Sequence, residues 1–156
     1  MDLKWHIKEL LKKYRIVGIN TVAFIYHFEE NEKYLPFTNV LFEMIENGKV
    51  RAVTSTITLM EILVKPKRDG NQKAANEYKF ILQTFPNLEI RNIDAEVAER
   101  AAEIRAKYGV RPPDALQVAA SLINNAEALI TNDRELKKIR EIETIVMDEA
   151  LTGILN

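Results

Sequence analysis

The feature that most constrains this chain is a repeated alternation, in which a short apolar run rich in β-branched residues is followed by a longer stretch with apolar positions every three or four residues. Strands that lie beneath crossover helices are buried on both faces and read as continuous apolar runs, so the pattern specifies a parallel sheet with helices on both sides. The runs predict strands at Arg15–Ile19, Val50–Thr54, Leu88–Ile93, Ala128–Thr131 and Thr144–Met147. Helical periodicity marks Val22–Phe28, Pro36–Glu46, Thr58–Lys65, Lys73–Phe85, Ala95–Tyr108, Pro113–Asn124 and Arg134–Arg140.

Ahead of the first strand, Leu3, Ile7, Leu10, Leu11 and Tyr14 share one helical face while Lys4, Lys8 and Lys12 share another. Residues 1–14 therefore read as an amphipathic helix whose stripe packs on the domain and whose lysines are solvated. Asn47-Gly48 and Tyr108-Gly109 supply helix-ending glycines, and Pro112-Pro113 suits a first turn, where a missing amide costs nothing. The stretch Lys65–Gln72, KPKRDGNQ, reads as an exposed basic loop. Without repeats or linkers, 156 residues make one domain, with residues 15–150 as its body.

Composition excludes several classes. A chain that is 47% hydrophobic and 29% charged can bury a core and is not a disordered segment. The absence of cysteine rules out disulfides and thiolate metal sites, and points to a cytoplasmic protein. No apolar stretch reaches membrane-spanning length and the N-terminus lacks a signal-peptide core, so no membrane partner is expected. A net charge of −1 gives no general attraction to nucleic acid, which leaves any such contact to local basic patches. Neither a Walker loop nor a GxGxxG motif occurs, His6 and His27 are not spaced as a metal pair, and no nucleophile elbow supports serine hydrolase chemistry.

In open parallel sheets, ligands bind beyond the carboxyl ends of the strands. Asn20 directly follows the first predicted strand, Glu61 lies on the helix after the second, Asp114 opens a helix, and Asp133 follows the fourth strand. Each also has a plain structural reading. Thr58-x-x-Glu61 fits a capping box with Lys65 placed for a helix ion pair, while Asp114 and Asp133 suit helix starts. Glu61, however, sits within Leu59-Met60-Glu61-Ile62-Leu63-Val64, where an acid is costly unless it faces a polar cleft. A phosphatase or receiver site would need two acids spaced by one residue after the first strand, and Asn20-Thr21-Val22 does not supply them.

Four strings taken together resemble the PIN-domain family in the right order: Ile16-Val17-Gly18-Ile19-Asn20-Thr21, Thr54-Ser55-Thr56-Ile57-Thr58-Leu59-Met60-Glu61-Ile62-Leu63, Pro112-Pro113-Asp114-Ala115-Leu116-Gln117-Val118-Ala119, and Leu129-Ile130-Thr131-Asn132-Asp133. The resemblance extends from Ile16 to about Met147. It implies a three-layer α/β/α fold with about five parallel strands in the order 3-2-1-4-5. It implies also that Asn20, Glu61, Asp114 and Asp133 converge on one acidic catalytic pocket, with Thr21, Thr131 and Asn132 as supporting polar residues. The carboxylates are expected to lie close enough to share a cation or its water shell. Mutual repulsion of such carboxylates is relieved by a hard cation with oxygen preferences, so Mg2+ or Mn2+ is the implied cofactor.

The implied activity is hydrolysis of RNA phosphodiester bonds, as in the toxin ribonucleases of toxin–antitoxin pairs of the VapC type. RNA, an antitoxin protein and a second copy of the chain in a homodimer, with the Pro36–Glu46 or Lys73–Phe85 helix at its interface, are the partners that follow. A polyanionic substrate at an acidic site needs cations beside it, and Lys65, Lys67, Arg68, Arg111 and Arg134 lie near the acids in sequence, as do Lys73, Arg105 and Lys107. The chain departs from the family at Asn20, where the family carries Asp. The amide keeps the shape and one carbonyl oxygen but removes a charge, so metal affinity and activity should be reduced or abolished. A non-catalytic PIN-fold module that binds RNA or protein stays open as the second reading, and so does the origin of Asn20, natural or introduced.

Overall fold

Residues 2–153 are described by the structure, a computed structural model. Five strands, β1 (Ile16–Ile19), β2 (Arg51–Ser55), β3 (Leu88–Arg91), β4 (Ala128–Thr131) and β5 (Glu143–Val146), form one sheet in the order β3-β2-β1-β4-β5. Every pairing is parallel, with Val17 opposite both Ala52 and Ala128, Ala52 opposite Leu88, and Leu129 opposite Thr144. The parallel α/β class is the one expected from the alternation of runs and periods, and the strand order is the one the family resemblance implies.

Because side chains alternate across a strand, each strand feeds two cores. Val17, Ile19, Ala52, Ile130 and Ile145 face a layer built on α1 (Leu3–Leu11), α2 (Thr21–Phe28), α3 (Leu35–Glu46), α4 (Thr56–Arg68) and α5 (Gln72–Thr84), around Phe24, Phe37, Leu41 and Ile45. Val53 and Leu129 face the opposite layer, where α6 (Ala95–Tyr108) and α7 (Pro112–Ile123) contribute Val97, Ile104, Ala115 and Val118. α7 lies directly on β1. A Cβ built at Gly18 would stand 2.1 Å from Ser121 Oγ and 2.7 Å from Ser121 Cβ, so only glycine lets the helix approach this closely. Ile7, Leu10 and Leu11 of α1 are buried against the first core as the stripe predicts, although the helix ends at Leu11 and Tyr14 lies beyond it.

The structure departs from the sequence reading in four places. The basic stretch from Lys65 is not a loop: α4 runs on to Arg68 with Pro66 inside it, and only Asp69–Asn71 separates it from α5. The start of α4 is also earlier, with Ser55 as its N-cap, so Thr58 does not cap the helix and Lys65 pairs with Glu29 at 3.6 Å rather than with Glu61. The segment after Asp133 is a single 3₁₀ turn, Arg134–Lys138, rather than an α-helix. A final short helix, α8 (Met147–Leu151), starts where the last predicted strand was to end, and five residues are too few to show a helical period. Among the described residues, no helix is long and apolar enough to cross a membrane.

Candidate active site

Asn20 directly follows β1 and caps α2. Its backbone is extended, with φ −74° and ψ 155°; its N–H donates to the Ile130 carbonyl at 2.9 Å, and its Oδ1 accepts from Thr21 N at 3.0 Å. Its Nδ2 donates to Thr131 Oγ1 at 3.1 Å. Both ends of the amide are thus engaged within the protein. Thr131, at the end of β4, also accepts from Asp133 N at 3.2 Å, and Asp133 caps the 3₁₀ turn by accepting from Glu135 N at 3.0 Å. The capping reading of Asp133 therefore holds alongside its placement near Asn20.

Asn132 fixes the same loop from its other side. Its Oδ1 accepts from Asp148 N at 3.0 Å, and its Nδ2 donates to the Tyr34 hydroxyl at 3.0 Å. Tyr34 stacks on Tyr26, with ring centroids 3.9 Å apart and planes 3° from parallel, and donates to Asp148 Oδ1 at 2.8 Å. This hydroxyl, followed by Lys33 at 3.4 Å, holds the Asp148 carboxyl below the usual carboxylate range.

Glu61 lies on α4 and is half-buried, which resolves the cost of an acid in an apolar string: its Oε1 accepts the Thr21 hydroxyl at 2.7 Å. Thr21 itself is joined to Gln117 of α7, whose Nε2 reaches Thr21 Oγ1 at 3.2 Å and Thr58 Oγ1 at 2.7 Å. One turn earlier on the same helix stands Asp114, buried to 8% exposure, with Arg111 Nε donating to its Oδ2 at 3.3 Å. Arg111 is the N-cap residue of α7 and makes no side-chain cap bond, so Asp114 occupies the first turn where the free amides favour a carboxylate.

Adjacent residues Asn20 and Thr21 therefore join two groups at the carboxyl ends of β1, β2 and β4: Asn20, Thr131 and Asp133 on one side, Thr21, Glu61 and the helix of Asp114 and Gln117 on the other. Among the described residues, no three side chains of Asp, Glu, His or Cys stand together as a group able to hold a metal ion. The donors are all oxygens, which suits a hard divalent cation in kind. Asn20 lacks a carboxylate and its amide oxygen already accepts from Thr21 N, and the described acids Glu61, Asp114 and Asp133 do not stand as the three-membered group expected to share a cation directly.

The expected basic residues fall into two sets. Lys65 pairs with Glu29 and Arg134 with Glu149 at 3.7 Å, Lys107 pairs with Glu141 at 3.6 Å, and Arg105 donates to the Val110 carbonyl at 3.0 Å. Lys67, Arg68 and Lys73, at the exposed junction of α4 and α5, make no ion pair among the described residues. Nearby, a cleft of about 170 Å³ between α2, α4 and α5 is lined by Ile25, Phe28, Glu61, Lys65 and Tyr78. Of the buried polar residues, sequence reasoning singles out neither Thr54, Ser55 nor Gln117, and reads Thr58 only as a helix cap. The signal for Gln117 is its position three residues after Asp114, on the same face of a mostly apolar helix.

A sequence model of the PIN domain matches residues 19–142. No curated protein matches the chain. Among solved structures, it is similar to a toxin–antitoxin complex from Klebsiella pneumoniae, at 22% identity and TM-score 0.64 over 85% of this chain and 97% of the other. VapBC2 from Rickettsia felis bound to a DNA fragment from their promoter is similar at 18% identity and TM-score 0.67, over 84% and 98%. DNA-bound VapBC from Salmonella typhimurium is similar at 19% identity and TM-score 0.62, over 85% and 98%. These likenesses are of fold. With the match over most of its length and the expected strand order, the chain belongs to the PIN-domain family.

Proposed function

We propose that this chain is a divalent-metal-dependent endoribonuclease of the toxin–antitoxin type, with a site weakened by Asn20. The observation that carries the reading is the junction at Asn20 and Thr21, which ties Glu61, the helix of Asp114 and the loop of Asp133 to one end of the sheet. Glu61, Asp114 and Asp133 would hold Mg2+ or Mn2+, directly or through its water shell, with Asn20 beside them. Such a cation, when bound, supplies an activated water and neutralises charge on the phosphate. The chain's own part is to hold the carboxylates as acceptors: Thr21 does so for Glu61, and Arg111 lies against Asp114. Lys67, Arg68 and Lys73, which make no ion pair among the described residues, would meet a phosphate backbone, and Lys65, Arg111 and Arg134 can join them by exchanging their present partners.

An antitoxin protein is the proposed partner because the similar structures are toxin–antitoxin complexes, and the chain is proposed to pair with a second copy of itself. The test is cleavage of single-stranded and looped RNA by the purified chain in Mn2+, with a chelator control and Asp114→Asn in parallel. Metal-dependent cleavage lost in Asp114→Asn supports the nuclease; cleavage that persists in chelator or in that variant sinks it. The second reading, a PIN-fold module that binds RNA or protein without cleaving, is favoured by one observation, the full engagement of the Asn20 amide within the protein. RNA binding without cleavage at any metal concentration would select it.

A further inference from the structure

We propose that Gln117 is a positioning residue that assigns the Thr21 hydroxyl proton to Glu61. The case rests on following each proton through a cluster from which water is excluded: Thr54, Ser55, Thr58 and Gln117 are at most 2% exposed and Thr21 is 5% exposed. The Thr54 hydroxyl donates to the Ile19 carbonyl at 2.8 Å, which spends its only proton. Thr58 Oγ1 lies 2.7 Å from Thr54 Oγ1, so Thr58 must be the donor in that pair, and its proton is spent too. Thr21 Oγ1 then stands 3.0 Å from Thr58 Oγ1 with no proton from Thr58 to lie between them. A single remaining proton, that of Thr21, has two claimants: Thr58 Oγ1 and Glu61 Oε1.

Gln117 settles the competition. Ser55 accepts from Ile57 N at 3.2 Å and so has its proton free to donate to Gln117 Oε1 at 2.7 Å, which fixes the amide one way round. The two protons of Nε2 are thereby turned toward Thr58 and Thr21, at 2.7 Å and 3.2 Å. Each hydroxyl oxygen receives a donor from the amide, the close oxygen pair is bridged, and the Thr21 proton is released to Glu61. No other described side chain donates to both hydroxyls. What Glu61 is held ready for rests on the nuclease reading; the allocation of protons does not.

Gln117→Met keeps the length of the side chain and removes both donors. Its crystal structure is expected to show Glu61 Oε1 drawn away from Thr21 Oγ1, beyond hydrogen-bond distance from its present 2.7 Å. Adding Thr58→Val removes the competing oxygen, so the double variant should recover the bond, whereas a residue that only filled space would leave the double variant no better than the single one. An intact Thr21–Glu61 bond in Gln117→Met, or no recovery in the double variant, overturns the proposal. Should the single variant not fold, Gln117→Leu is read in the same way, and in the unaltered chain an NMR contact that places the Thr21 hydroxyl proton toward Thr58 instead of Glu61 overturns the proposal. None of these readouts uses metal or RNA, so the failure of the nuclease reading is a separate result.

Discussion

Asn20→Asp should strengthen the binding of a divalent cation at the proposed site. The protein can accept the substitution without orphaning a polar group. One carboxylate oxygen keeps the cap on Thr21 N, and Thr131, whose hydroxyl oxygen now accepts from both Asn20 Nδ2 and Asp133 N, still has its own proton to donate to the other. At about 4 Å and an effective dielectric of about 20, a unit-charge pair is worth about 4 kcal/mol, so a divalent ion gains about 8 kcal/mol from the new charge. Repulsion from Glu61 and Asp114 and the loss of ion hydration oppose this and take back most of it. A net gain of about 1.4 to 3 kcal/mol is roughly a 10- to 150-fold tightening, and RNA cleavage should rise at least tenfold with it. Calorimetric titration with Mn2+ of both forms, at equal ionic strength and with folding checked by circular dichroism, measures the first number. A folded Asn20→Asp whose Mn2+ affinity differs less than about twofold would refute the electrostatic reasoning, because no rearrangement of partners could hide a full charge beside the ion.

In the Asn20→Asp background, Asp114→Asn should abolish the gain in cleavage and return Mn2+ affinity to that of the unaltered chain, because both residues are proposed to serve one cation; a gain that survives assigns them to separate roles. Gly18→Ala drives a methyl into Ser121 and should cost about 1–3 kcal/mol, seen as a fall in the thermal midpoint, whereas Gly18→Ala with Ser121→Gly should recover part of it. The Asp148 carboxyl is held below its unfolded value of about 4, so its contribution to stability is complete above that pH and fades as pH falls through the folded value. Thermal midpoints of the unaltered chain and Asp148→Asn should therefore converge on acidification, and a gap that stays constant down to about pH 2 would contradict the sign. Light scattering across the micromolar range should report a dimer, and a monomer throughout removes the self-association.

Much of this architecture is legible in the sequence because buried strands and amphipathic helices leave periods that local inspection can count. Ala128–Thr131 and Ala95–Tyr108 agree with the observed bounds, and the capping glycine at Gly109 adopts the left-handed φ of 68° that its place after Tyr108 demands. What was misread lies where a local signal had a stronger competitor. Thr58-x-x-Glu61 has the letters of a capping box, yet Ser55 caps three residues earlier, and Thr58 goes instead to a tertiary cluster that no spacing rule encodes. Pro66 and the run of charges around it suggested a loop, but Pro66 is buried and α4 carries through it, so packing overrides the breaker. For the site, the acids are marked by their places just beyond a strand, near the start of a helix or within an apolar string; Gln117 is not, because one more polar residue in a mostly apolar helix has meaning only once three other elements have converged on it.

The tie between Asn132 and α8 carries a dynamic consequence. A five-residue helix has no stability of its own in water and persists only while docked, here through Met147 and Ala150 in the core and the Asp148 amide on Asn132 Oδ1. Fraying of α8 would release Asn132, and with it the turn on which Asp133 is mounted, as one opening unit. The lifetime of the ordered turn that carries Asp133 is then tied to the undocking rate of a helix that supplies none of the candidate site residues, and hydrogen exchange at the Asp148 amide becomes a clock for it.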